Sequence, residues 1–211
     1  MKYSIGTDLV KLAEDLLDDV ALWKELWADE LYEALEWYSA GWRNPRVAYE
    51  WYDSGWFFAQ DALEWYSVGW RHPVFALDWY NAGWEDPELA LVWYEEGWNS
   101  PTQALEWFEA WFSAVDALNW CNAGWVDVDE AGRWCDAFGL GNAQLAYDWY
   151  SAGWDTPKVA FLWYDAGWND PEVALSWYDA GWEDPGDALD WKRKGFGNPV
   201  EALKSFKRGS I

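Results

Sequence analysis

Asp170–Asp184 reads D-P-E-V-A-L-S-W-Y-D-A-G-W-E-D, and this stretch decides the fold. Asp170 can accept a backbone N–H as the N-cap of a helix. Pro171 suits the first helical position, where its missing N–H costs nothing. Near the other end, Gly181 can take the left-handed conformation that closes a helix, with Trp182 as the apolar residue that packs back on it. The stretch is one short helix with both ends marked, and the next copy starts 14 residues later at Asp184–Pro185.

Working outward, the same repeat recurs thirteen times from Leu31 to the C-terminus. With the proline as position 1, all eight prolines stand there: Pro45, Pro73, Pro87, Pro101, Pro157, Pro171, Pro185 and Pro199. Position 4 is Ala in all thirteen copies, position 7 is Trp in the first twelve, and position 12 reads as Trp in ten. Together with Trp23 and Trp27 these account for all 24 tryptophans. At about 100° per residue, positions 1, 4, 5, 7, 8 and 11 share one face, and positions 2, 6 and 9 lie opposite. The first set is apolar or small and the second carries most of the acids, so each helix is amphipathic.

A helix this short does not stand alone in water. The copies must stack. The predicted fold is therefore all-α: a single continuous domain, an α-helical solenoid of about thirteen one-helix repeats over residues 31–211, behind an N-terminal helical cap over residues 1–30. In that cap Leu9, Leu12, Leu16, Val20, Trp23 and Trp27 recur at helical spacing. The Ala at mid-face lets neighbouring helices approach closely. The Trp at position 12 falls in the loop and is expected to be partly exposed, lining a groove.

Residues 109–142 break the pattern. Repeat six is 13 residues long, and Ala110-Trp111-Phe112 reads as a copy that has lost its glycine. Cys121 and Cys135 replace the usual Tyr, Gly132 stands at a Leu position, and an extra residue enters near Phe138-Gly139-Leu140-Gly141. A bend or specialised segment is expected there. Residues 192–211 differ in charge, with six basic side chains against the single acid Glu201, while the whole chain carries −24.

That acidity argues against direct binding to nucleic acid or to an anionic membrane and favours a basic partner. No run of 18 apolar residues exists, and Met1–Asp8 holds no apolar signal core, so no membrane association is expected. Two cysteines are too few for a disulfide framework, which points to the cytoplasm, or the host cytoplasm for a virus-encoded chain. His72, the one histidine, sits at a capping position and is read as a cap or an exposed residue. No phosphate-binding or nucleophile motif is present, and no Cys/His group has ligand spacing. No cofactor and no metal are expected, and no enzyme. Modules that cage ligands between aromatics are built of hairpins, whereas here the aromatics keep helical spacing.

The suggestive feature is the outward acids at positions 6 and 9: Glu50, Asp53, Glu64, Asp78, Glu95, Glu106, Glu109, Asp148, Asp165 and Asp179. One reading is a solvated face that keeps a Trp-rich protein soluble. The sharper one is rows of carboxylates on a rigid body, similar in kind to the charge of a nucleic-acid backbone. The expectation is a non-enzymatic, nucleic-acid-mimicking inhibitor of a basic DNA- or RNA-binding protein, with viral counter-defence as one setting. The rivals are an interaction scaffold that uses its groove, and head-to-tail self-association through the basic C-terminal repeats.

Overall fold

The computed structural model describes residues 21–27 and 30–209. Thirteen α-helices run through residues 31–209, with no strand among the described residues. They are α1 (Leu31–Ala40), α2 (Pro45–Asp53), α3 (Ala59–Val68), α4 (Pro73–Asn81), α5 (Pro87–Glu95), α6 (Pro101–Glu109), α7 (Ala114–Ala123), α8 (Val128–Phe138), α9 (Ala143–Ser151), α10 (Pro157–Asp165), α11 (Pro171–Asp179), α12 (Pro185–Arg193) and α13 (Pro199–Gly209). Each predicted repeat is one helix, and the chain is a helical repeat solenoid. Of the expected N-terminal cap, residues 1–20, 28 and 29 lie outside the described residues. Residues 21–26 are helical, and Trp23 and Trp27 are buried with ring centroids 5.5 Å apart.

Local chemistry sets each helix. Asp170 accepts the Val173 N–H at 3.0 Å, and Asn44, Asp86 and Asp184 cap in the same way. His72 is exposed and makes no side-chain cap bond; its ring lies 5.8 Å from Phe75 instead. At the C-terminus Gly181, at φ 95°, donates its N–H to the Tyr178 carbonyl at 2.9 Å, and Trp182 donates to the Trp177 carbonyl at 3.4 Å. This paired bonding normally carries an apolar contact between the two residues that flank it. Here both are tryptophan, and Trp177 and Trp182 lie 5.4 Å apart. The motif that ends the helix thus also makes the aromatic core.

That core is a zigzag of indoles. In the N-terminal half the position-7 Trp (the helix Trp) and the position-12 Trp (the loop Trp) alternate through Trp37, Trp42, Trp51, Trp56, Trp65 and Trp70, with centroids 5.1–5.9 Å apart. The loop indoles are not groove-lining, contrary to the sequence expectation: Trp42, Trp56, Trp70, Trp154, Trp168 and Trp182 are all buried. The reason is a bond invisible in the repeat itself. Each donates its indole N–H to the position-1 carbonyl two repeats on. Trp42 reaches Ala59, Trp56 reaches Pro73, Trp154 reaches Pro171 and Trp168 reaches Pro185, at 2.9–3.0 Å. A buried indole N–H needs such a partner, and the first residue of a helix has a carbonyl with a spare lone pair to accept it.

Contacts gather into two compact bodies, Met1–Leu105 and Glu106–Ile211. In the first, α1 packs on α3, α2 on α4 and α3 on α5, so neighbours two apart in the chain meet most closely. The second repeats these pairings, with α7 on α9, α8 on α10, α9 on α11, α10 on α12 and α11 on α13, and there the sequence neighbours α8 and α9, α10 and α11, and α12 and α13 also pack together. The position-4 alanines, such as Ala90 and Ala174, are fully buried and set this spacing. Leu63, Leu77 and Leu91 each lie over the glycine two repeats earlier, their methyls 3.0–3.4 Å from where a Cβ would stand. At the C-terminal end Lys192 replaces the usual Tyr and lies over the Trp168 ring at 4.8 Å, while Lys194 covers Trp191 at 4.9 Å. Part of the basic cluster therefore closes the aromatic core.

Repeat six corrects the sequence reading. Trp111 donates to the Phe108 carbonyl at 2.9 Å and Phe112 to the Trp107 carbonyl at 3.2 Å, the bonds that Gly and the loop Trp make elsewhere. Trp111 therefore occupies the glycine position, at φ 67°, and Phe112 takes the place of the loop Trp, 4.9 Å from Trp107. The residue lost is position 13, so Ser113 follows at once and caps α7 by accepting the Asp116 N–H. In repeat eight, Phe138 stacks on Trp134 at 5.4 Å in the role of the loop Trp, and a 3-10 turn at Leu140–Asn142 absorbs the insertion. Trp120 donates to the Leu140 carbonyl of that turn at 2.9 Å.

Candidate functional site

The ten outward acids are placed as their spacing requires. Glu50, Asp53, Glu64, Asp78, Glu95, Glu106, Glu109, Asp148, Asp165 and Asp179 are all exposed, and no polar or charged side chain is buried among the described residues. Packing between helices two apart then adds something that helical spacing does not contain. It leaves a groove whose one wall is positions 6, 9 and 10 of a repeat, and whose other wall is the cap and first turn two repeats later.

Between α3 and α5 this groove holds about 430 Å³ and is lined by Gln60, Leu63, Glu64, Ser67, Val68, Asp86, Pro87 and Glu88. Between α6 and α8 its counterpart holds about 470 Å³ and is lined by Glu106, Glu109, Ala110, Val126, Asp127, Val128 and Asp129. A third, between α7 and α9, is milder, with Asp116, Asn119, Asn122 and Gln144 on its walls. The grooves bring Glu64 to Asp86 and Glu88, and they bring Glu106 and Glu109 to Asp127 and Asp129. Asp148 accepts a bond from Gln144 at 2.9 Å. Sequence reasoning missed Asp86, Glu88, Asp127 and Asp129. Position-14 acids read as helix caps, which they are, since Asp86 accepts the Glu88 and Leu89 N–H groups and Asp127 that of Glu130.

Little within the fold neutralises these carboxylates. Only two ion pairs occur among the described residues, Arg133–Glu130 and Arg193–Asp190. Arg43 and Arg71 turn back on their own helices, donate to the Tyr38 and Tyr66 carbonyls, and lie over those rings at 4.8 and 5.0 Å. A few carboxylates are used internally: Glu130 accepts the Trp134 indole N–H at 2.8 Å, and Asp61 accepts the Tyr80 hydroxyl at 2.8 Å, a bond that, with some burial, pushes the Tyr80 phenol up from 10.0. Cys121 and Cys135 are free thiols, half-buried, and burial pushes Cys121 up to about 11.

The exposed aromatic of the irregular segment was also missed. Of the 24 tryptophans, 22 are buried and Trp191 is half-buried, but Trp111 is 96% exposed. Val126, in the groove lining, is 84% exposed.

No described helix is long and apolar enough to cross a membrane, and no group of three His, Cys, Asp or Glu side chains is placed to hold a metal ion among the described residues. The fold and the grooves define a class, a Trp-cored helical repeat protein with an acidic outer face. Comparison with known proteins finds no matching family model, no matching curated protein and no matching solved structure.

Proposed function

We propose that the chain is a non-enzymatic acidic binding protein that occupies the basic groove of a DNA- or RNA-binding protein in place of the nucleic acid. The observation that supports this reading is the exposure of all ten outward acids on a packed helical frame, with few ion pairs to neutralise them. Fixed carboxylates on a rigid body meet a basic groove without an ordering cost, and the long-range field speeds the encounter. Inhibition of a nuclease, as in viral counter-defence, is one use of such a surface. For the rival scaffold that uses its groove, the buried loop tryptophans offer no contact surface, which leaves the irregular segment around Phe112 and Arg133 as its support.

The test is competition. Labelled duplex DNA or RNA bound to a basic nucleic-acid-binding domain is titrated with the protein, and displacement is followed by anisotropy. Displacement is expected to weaken steeply as salt rises. Reversing Glu50, Asp53, Glu64 and Asp78 to Lys together is expected to abolish it, and undiminished displacement by that variant would overturn the reading.

A further inference from the structure

We propose that Trp111, Val126 and the groove between α6 and α8 form a docking site for an arginine-bearing segment of a basic protein partner. The inference rests on the acidic-binding reading above and locates its specific contact.

Trp111 is the anomaly. It is the one non-glycine at positive φ among the described residues, where a bulky side chain is strained. It stands where the adjoining repeats use glycine, and it gains nothing from packing, being 96% exposed. The fold has solved this position with Gly41, Gly55, Gly69 and Gly83, so packing does not account for a tryptophan here. A further departure leaves it uncovered. In regular repeats the leucine two repeats on lies against this position, but the matching residue of repeat eight is Gly132, and nothing lies within 4 Å of where its Cβ would stand. In the groove lining, Val126 stands 84% exposed at a position that is charged in Arg43, Arg71, Glu85 and Glu183 and apolar in Phe57.

Charge complementarity names the occupant. Glu106, Glu109, Asp127 and Asp129 line the groove, no basic side chain joins them, and Ala110 and Val128 supply apolar surface. Nucleic acid and anionic lipid are repelled by such a lining. A guanidinium suits it better than an ammonium, because its plane stacks on an indole while its paired N–H donors match a carboxylate. Trp111 directly follows Ala110, which lines the groove, so an exposed indole stands beside the acidic lining, and tryptophan is among the residues that most often anchor an interface.

The experiment uses the full chain and three labelled peptides of one sequence frame, carrying Arg, Lys or Glu with interspersed Leu. Anisotropy reads binding to the wild type, Trp111→Gly, Asp129→Lys and, as a control outside the grooves, Glu25→Lys, at an exposed acid. Trp111→Gly restores the repeat's own glycine and keeps the fold intact. The Arg peptide is expected to bind more tightly than the Lys peptide, and the Glu peptide not at all. Trp111→Gly should weaken the Arg peptide about thirtyfold, while Glu25→Lys changes it about twofold or less. Equal binding of the Arg and Lys peptides, or no effect of Trp111→Gly, overturns the proposal. A wild-type dimer in sedimentation that is lost in Trp111→Gly also overturns it, since a second copy would then be the occupant. If the protein still displaces nucleic acid while Trp111→Gly has no effect, the docking site fails alone. If neither basic peptides nor a basic domain bind, the acidic-binding reading fails with it.

Discussion

Repeats ten to twelve and repeats six to eight are built to the same plan and obey it to different degrees. From Pro157 to Arg193 the framing rules hold: proline opens each helix, glycine closes it, and the loop tryptophans Trp168 and Trp182 are buried and bonded two repeats on. From Pro101 to Phe138 the glycine becomes Trp111, a loop tryptophan becomes Phe112, a leucine becomes Gly132 and a tyrosine becomes Cys121. The helices survive because the inner Trp and the Ala of each repeat, Trp107 with Ala104, Trp120 with Ala117 and Trp134 with Ala131, are kept and fully buried. The difference separates two kinds of position. Those that face the core do not vary, and those that ring it can be spent on a surface.

The largest effect that would sharpen this contrast is on stability. Trp168→Ala should cost about 3–5 kcal/mol in urea unfolding, through lost burial and a cavity, and it orphans the Pro185 carbonyl contact. Trp111→Gly should instead gain about 1 kcal/mol by relieving a strained backbone. A loss comparable to that of Trp168→Ala would show that Trp111 packs after all. Next in size come the glycines. Gly124→Ala places a Cβ 2.6 Å from the Tyr147 ring at φ 114° and should cost about 3 kcal/mol. Gly195→Ala, at φ 98° with nothing within 4 Å, should cost only the backbone term of about 1 kcal/mol. Equal losses would mean that close packing around the glycine is unimportant.

The smallest effect is at high pH. Burial raises Cys121 from 9.0 to about 11, and the Asp61 bond raises Tyr80 from 10.0. Both groups are favoured in their protonated forms by the fold. Their contribution is therefore present in full below the unfolded-state values and is lost as pH rises through the folded-state ones. The melting temperature should fall between pH 9 and pH 11, and Cys121→Ala should make that fall shallower. A curve that the substitution leaves unchanged would assign the decline to Cys135 and the tyrosines, whose protonated forms the fold also favours.

Much of this architecture could be read from one repeat. Asp170, Pro171 and Gly181 fix their helix by short-range chemistry, and the spacing of Ala174, Trp177 and Asp179 sorts them inward or outward. What sequence reading missed lies in contacts between repeats. The loop tryptophans were placed at the surface because their partner, a carbonyl 17 residues on, is a backbone atom with no letter of its own. Trp111 reads as a loop tryptophan because a deletion can be slid by one residue along a string, and only the backbone bonds of Trp111 and Phe112 fix its place. The outward acids were found as single residues. Their assembly into grooves with Asp86 or Asp127 depends on helices two apart packing together, which a repeat of identical helices does not announce.

The indole-to-carbonyl bond that skips a repeat carries one more consequence, for how such a chain can change length. Because each bonded loop tryptophan ties its copy to the second copy along, a pair of repeats cannot complete a single one of these bonds, and three is the least that can. Removing one whole copy from the regular stretch still leaves every remaining tryptophan facing an equivalent acceptor. Removing a fraction of a copy does not. Genetic duplication or loss should therefore be tolerated in steps of 14 residues, and fraying should begin at the ends, where a tryptophan or an acceptor is left without its counterpart.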